Sequence, residues 1–270
     1  VPANGHMVVY CSGRNTVNAG ELHPNFNLKQ TQNEWIILTN PGGVVLDSFK
    51  IVHMTQMDHS VGRSTDGAAD FKLFTTPTPG ASNTGASDFY EPTPVMSLAP
   101  GFYTGAQTVS ITCANATATI HYTTDGTDPT AASAIYSGPI NVPNTMVVRA
   151  IAIGTNPPSF VETNTYLIDE SHSVPVVSVC SGDLFDLVAN GNQGPDDVGA
   201  FELFEQDGTF IDEGQGHFNK HGNDSWAYPQ RGFDFIMRDQ FGYNDDIDHL
   251  IFPADNDRTS FQRLILKPGA

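Results

Sequence analysis

The sequence predicts a mainly β chain: two immunoglobulin-like β-sandwiches in series, then the β-rich opening of an α+β domain. Three observations predict it. The 270 residues exceed a typical domain of roughly 100–200 residues, so two or three domains fit. The 25 Gly and 18 Pro make turns dense and long helices improbable. Apolar residues fall into short alternating runs, separated by turn chemistry at the spacing of antiparallel sandwiches.

The charge balance narrows the function. Lys and Arg number 12 against 30 Asp and Glu, a formal net charge of −18. Phosphate neutralisation needs clustered Lys and Arg, so a nucleic-acid partner is excluded. Anionic membrane surfaces are disfavoured for the same reason. No apolar run approaches the roughly 20 residues of a membrane span. The acidic, Lys-poor, Asn/Thr/Gly-rich composition points to an extracellular or cell-surface setting, where a high net charge keeps a protein soluble.

Residues 1–86 read as short strands: Met7–Tyr10, Glu34–Leu38 and Val44–Phe49, the last two joined by the turn Asn40-Pro41-Gly42-Gly43. The segment Thr75–Asn83 is too rich in proline for a helix or central strand, and with residues 87–94 it reads as an exit into a linker. Residues 95–168 carry Val109–Cys113, Thr119–Thr123, the turn Asp125-Gly126 and the long run Met146–Ile153, a second sandwich. Residues 169–270 change character. They hold a buried-type strand Val174–Val179, a helical turn Asp183–Val188, and the hairpin Phe201–Glu205/Thr209–Ile211 around Gln206-Asp207-Gly208. Alternating Gly232–Arg238 and a last strand, Phe261–Leu266, follow.

Val1–Gly5 shows no basic or apolar leader pattern, and Leu264–Ala270 is a strand-like run cut at a turn. Both ends read as interruptions inside domains, the expectation for an internal fragment. Cys11, Cys113 and Cys180 have no CxxC or Cys/His ligand spacing. One stays unpaired in a monomer; buried free thiols are expected, with an oxidised pair left open.

Three stretches resemble known families. Glu21–Leu28, Asp58–Arg63 with Asp66-Gly67, and Pro77–Asn83 resemble the lamin-tail domain, an immunoglobulin-like sandwich, with that family's first strands missing. Tyr122–Thr130, Tyr136–Ile140 and Val148–Ala152 resemble the small sandwich at chitobiase and hexosaminidase C-termini. That resemblance implies an accessory module without an active site, not a hydrolase. Val174–Ser178, Gly222–Phe233, Phe241–Tyr243, Ile251-Phe252 and Phe261–Lys267 are similar to the opening of CotH-type atypical protein kinases. This third resemblance implies ATP and Mg²⁺ or Mn²⁺ as cofactors of a complete domain, and a protein substrate. The family's catalytic and metal-binding acids would lie beyond Ala270, so no catalytic or metal-binding residue is assigned. Where the family usually carries basic residues, this chain has Gln230-Arg231. Such three-module arrangements resemble large exported bacterial proteins.

Phosphoryl transfer needs a cation for the nucleotide phosphates. Arg231 can supply one, and Gly222 and Ser225 belong to the loop that would lie near it; these are the nucleotide-binding candidates. Gly214 and Gly216 could also admit a phosphate, although they form neither GxGxxG nor a Walker loop. The same glycines equally suit turns, and Arg231 could pair with Asp234 or another surface acid. His217 and His221 sit about 13 Å apart along an extended strand, too far to share a metal. The acidic stretches Asp245–Asp248 and Asp255–Asp257 offer oxygen ligands for a surface Ca²⁺ but lack the EF-hand register. Phe102, Tyr103, Trp226 and Tyr228 could stack on sugars or anchor loops, so a surface glycan is the alternative partner.

Overall fold

The computed structural model describes residues 5–30, 33–191, 198–222, 231–238, 240–242, 244–254 and 257–267. The chain divides into two units, Val1–Phe89 and Tyr90–Ala270.

The first unit holds six short strands: β1 (Thr16–Asn18), β2 (Glu21–His23), β3 (Trp35–Thr39), β4 (Val45–Lys50), β5 (Ser60–Arg63) and β6 (Phe71–Phe74). They pair two by two as β1–β2, β3–β4 and β5–β6. Met7–Tyr10, expected as a strand, contributes only a bridge from Val9 to Leu22; Tyr10 instead stacks its ring on His23 at 5.2 Å. The β3–β4 turn forms as its composition requires. Asn40 Oδ1 accepts the N–H groups of Gly42 at 2.9 Å and Val44 at 3.0 Å. Gly43 takes φ +80°, a conformation natural to glycine. Among the described residues of this unit, Leu73 and Phe74 are the buried apolar side chains, while Trp35–Leu38 and Val44–Leu46 are exposed.

The second unit opens with β7 (Val95–Met96), β8 (Gly101–Tyr103), β9 (Gln107–Val109), β10 (Ile111–Thr112) and β11 (Thr119–Thr123). It continues with β12 (Ala134–Ile135), β13 (Ile140–Val142), β14 (Met146–Ile153) and β15 (Glu162–Ile168). Strands β12-β11-β14-β15-β8 make a five-stranded sheet, faced by the pairs β10-β7 and β13-β9. Alternation along β14 and β15 sends Val148, Ala150, Tyr166 and Ile168 into the core between them, where they meet Met96, Val109, Ile111 and Val142.

The remaining elements are β16 (Val176–Cys180), α1 (Leu184–Asn190), β17 (Val198–Phe204), β18 (Phe210–Lys220), β19 (Phe233–Met237), β20 (Ile247–Asp248), β21 (Ser260–Phe261) and β22 (Arg263–Leu266). The order β16-β17-β18-β19-β22 is an antiparallel meander. The β17–β18 turn matches its prediction: Asp207 Oδ1 accepts the Thr209 N–H at 2.9 Å, and Gly208 sits at φ +91°. One face of this sheet is apolar. Phe201, Leu203, Phe218, Phe235 and Met237 pack there against Leu187 of α1, with Phe201 and Phe235 stacked at 5.1 Å.

The opposite face of the meander meets the sandwich. Strand β15 is therefore buried on both sides, and its polar residues Thr163, Asn164 and Thr165 are each under 5% exposed. Buried polar groups need partners. Asn164 donates to the Leu98 carbonyl at 3.0 Å on the core side. On the meander side the Thr165 N–H donates to Glu202 at 3.0 Å, and Gln215 donates to the Val161 carbonyl at 2.9 Å. Phe102 of β8 adds an edge-to-face contact with Phe204 at 6.1 Å.

Candidate functional site

The β18–β19 end of the meander gathers the sequence-predicted cation. The Arg231 Nη1 donates to the carbonyl oxygens of Val188, at 2.7 Å, and Ala189. The last carbonyls of a helix lack intrahelical partners and carry partial negative charge, so a guanidinium is well placed there. Gly222 turns the chain at φ +70°, just after His221, whose N–H donates to the Gly232 carbonyl at 3.2 Å. Ser225, Trp226 and Tyr228 lie outside the described residues. The alternative pairing of Arg231 with Asp234 is replaced by another: Asp234, 4% exposed, meets His221 Nδ1 at 2.7 Å and the Arg263 guanidinium.

The glycines of β18 have packing roles. A Cβ on Gly214 would lie 1.8 Å from Met237 Cε, and one on Gly216 would lie 2.3 Å from the Ile236 carbonyl oxygen. Both positions are therefore closed by β19. His217 and His221 lie along extended chain as expected, and they diverge in role: the His217 ring meets Phe241 edge-on at 4.5 Å, while His221 faces Asp234.

Among the acidic stretches, the backbone N–H of Asp248 donates to Asp212 at 2.8 Å, and Ser260 donates to Asp246. Asp255 and Asn256 lie outside the described residues. Among the described residues, no group of three or more His, Cys, Asp or Glu gathers to hold a metal ion. The donor set described here does not fit a metal–nucleotide centre. Cys11, Cys113 and Cys180 are all free thiols; Cys180 is buried, whereas Cys11 and Cys113 are half-exposed rather than buried, because each lies in a loop outside the core.

A surface cleft of about 300 Å³ is lined by Phe102, Tyr103, Thr104, Asp169 and Glu170. It combines two aromatic rings with two carboxylates. The Thr145 hydroxyl, then the His172 imidazole, hold Glu170 below the usual carboxylate range. Phe102 and Tyr103 also serve packing: Phe102 meets His172 at 5.8 Å, and the Tyr103 hydroxyl donates to the Ala99 carbonyl at 2.7 Å.

Two strongly perturbed carboxyls lie at the seam between the sandwich and the meander. Glu202 is 1% exposed and accepts from both the N–H and the hydroxyl of Thr165; that hydroxyl is also 2.6 Å from Ser178 Oγ. Burial pushes its carboxyl up to about 8. Burial, then the Glu213 charge, pushes Glu162 up to about 7. Arg149, 1% exposed, closes the neighbouring part, donating to Thr163 at 3.2 Å, to the Gly126 carbonyl at 3.3 Å, and to Asp128. Sequence reasoning passed over these residues. A signal existed: Glu202 is a lone acid inside Phe201-Glu202-Leu203-Phe204, and the strand Glu162–Ile168 opens with four polar residues.

Residues 98–163 match the family model of the chitobiase/beta-hexosaminidase C-terminal domain, a β-sandwich, and the match ends before the meander begins. Neither the curated proteins nor the solved structures contain a match to the chain. No helix among the described residues is long and apolar enough to cross a membrane. The part of the chain thus recognised is similar to a carbohydrate-related or structural module.

Proposed function

We propose that this chain is part of an exported, cell-surface, multi-domain protein in which an accessory sandwich rigidly carries the opening sheet of a CotH-like kinase domain. The 270 residues act as a platform and do not transfer phosphate by themselves. One observation carries the reading. A five-stranded antiparallel meander with one helix on its apolar face is seated, through a buried polar seam, on a sandwich of accessory type. A sheet with one packed helix among the described residues suits a nucleotide-binding lobe. Arg231, at the end of that helix near the Gly222 turn, is the proposed phosphate contact; Ser225, the second candidate, lies outside the described residues.

Phosphoryl transfer is almost entirely positioning and charge stabilisation, and a carboxylate-held metal supplies much of both. The described residues offer no such carboxylate group, so no catalytic step is assigned to them. The lamin-tail resemblance of the first segment fits the same exported setting. Incubation of the chain with labelled ATP, Mg²⁺ or Mn²⁺ and a casein-like acceptor tests the reading. No incorporation is expected, while a longer polypeptide that includes the catalytic acids incorporates label. Incorporation by these residues alone overturns it.

A second reading rests on the Phe102–Glu170 cleft: a glycan-binding surface module, whose rings and carboxylates suit a sugar's apolar face and hydroxyls. Specific binding on a glycan array without nucleotide favours it, and flat binding across the array removes it.

A further inference from the structure

Glu202 and Glu213 are cross-strand partners on β17 and β18, with Ser178 of β16 opposite Glu202 on its other side. Directly opposed residues in an antiparallel pair hold their Cβ atoms roughly 4.5–5.5 Å apart, and like charges placed so repel. Glu162, at the start of β15, brings a third carboxylate to the same seam from the sandwich. It and Glu213 both bear on Glu202. The other titratable and charged groups that bear on this place are Arg149 of β14 and Cys180 of β16, with Asp128 beyond Arg149, and Tyr166 of β15 from the sandwich core. Arg149, the cation among them, is engaged by Asp128 and the Gly126 carbonyl.

We propose that this carboxylate seam is a proton-dependent latch, which holds the sandwich and the meander together while its glutamates are protonated and loosens their contact as they ionise. A neutral carboxyl on Glu202 accepts the Thr165 N–H at one oxygen and donates its proton to the Thr165 hydroxyl at the other, so both contacts persist without a buried charge. An ionised one accepts from both Thr165 donors but places an anion at a buried position, opposite Glu213 and near Glu162.

The direction follows from the protons. Glu162 and Glu202 titrate at about 7 and about 8 in the folded chain, above the ordinary 4.5. Between these values the folded state holds protons that the unfolded state has released. The stabilisation is therefore complete below about 4.5 and drains away as pH rises through 7 to 8. The latch closes on the acid side of neutrality and slackens on the alkaline side. This inference goes beyond the proposed function and stands or falls separately, since it invokes neither nucleotide nor glycan.

The test uses the full chain and measures amide protection, corrected for the intrinsic exchange rate, from about pH 6 to about pH 9. Protection at Thr165 and along β17 is expected to fall by at least roughly tenfold, because each pH unit of differential protonation is a factor of ten. In Glu162→Gln/Glu202→Gln, which mimics the neutral pair, protection is expected to stay level. Glu213→Gln, at a half-buried position, serves if the double variant does not fold; relieving the repulsion reduces the alkaline loss. A wild-type profile that is flat overturns the latch. So does a variant that keeps the wild-type slope.

Discussion

Thr165→Val isolates the hydrogen bonding that joins the two sheets of the second unit. Thr165 is 2% exposed; its hydroxyl donates to Glu202 and lies 2.6 Å from Ser178 Oγ. Valine keeps the shape and the backbone N–H, so the substitution removes only the hydroxyl. It leaves one oxygen of the buried Glu202 carboxyl without its partner and takes a hydrogen bond from the half-buried Ser178. An unsatisfied buried polar group costs ~1–3 kcal/mol, and about 2 kcal/mol is the expectation here because one Thr165 bond to Glu202 survives. For a body of this size, each kcal/mol moves the melting midpoint by roughly 2–4 °C, which gives a loss of about 4–8 °C. Differential scanning calorimetry at about pH 6, with Glu202 largely neutral, reads it. Thr112→Val is the matched control, an exposed hydroxyl on β10 whose contact with the Val95 carbonyl is 3.4 Å. If Thr165→Val melts like the wild type, or the control loses as much, the seam does not hold the sheets as argued.

Three further outcomes are expected. Arg149→Ala, at a residue 1% exposed, removes the donor to Thr163 and the Gly126 carbonyl and opens a cavity. A loss of ~2–4 kcal/mol in urea unfolding is expected; Asp128 stays half in water and adds little. Arg231→Ala releases the Val188 and Ala189 carbonyls, costing about 1 kcal/mol locally. Amide exchange should quicken in α1 and stay unchanged in β15. The Cys180 thiol is pushed up to about 11, chiefly by burial. Mildly alkaline iodoacetamide should therefore label Cys113 in the native chain and spare Cys180, and both equally after denaturation.

Much of the fold was legible because the local signals and the tertiary structure agree. Asn40-Pro41-Gly42-Gly43 and Gln206-Asp207-Gly208 carry their own turn geometry, and both turns formed. The alternating run Met146–Ile153 became the long β14, and Asp183–Val188 signalled α1. Met7–Tyr10 shows the converse. Its β-branched and aromatic residues have strand propensity, but a strand needs a neighbour, and Val9 found only a single bridge.

The candidate site was less legible for a physical reason. Arg231 was found as a cation, but its partners are main-chain carbonyls 42 and 43 residues away. Gly214 and Gly216 looked available to a ligand, yet what faces them is Met237 and Ile236 on the next strand. The seam was hidden more deeply. A Thr-Asn-Thr run in a strand reads as a solvated face until a second sheet is laid over it. Only tertiary packing turns Glu202 from a surface acid into one that is 1% exposed.

The central claim is that the sandwich and the meander act as one body. Native-state amide exchange on the full chain, followed through increasing denaturant at about pH 6, tests it most directly. The account predicts that amides of β14 and β15 share one opening free energy with those of β17 and β18, so that all lose protection together. If the sandwich amides open at one energy and the meander amides at another, the two sheets are separate domains in contact, and the platform reading is contradicted.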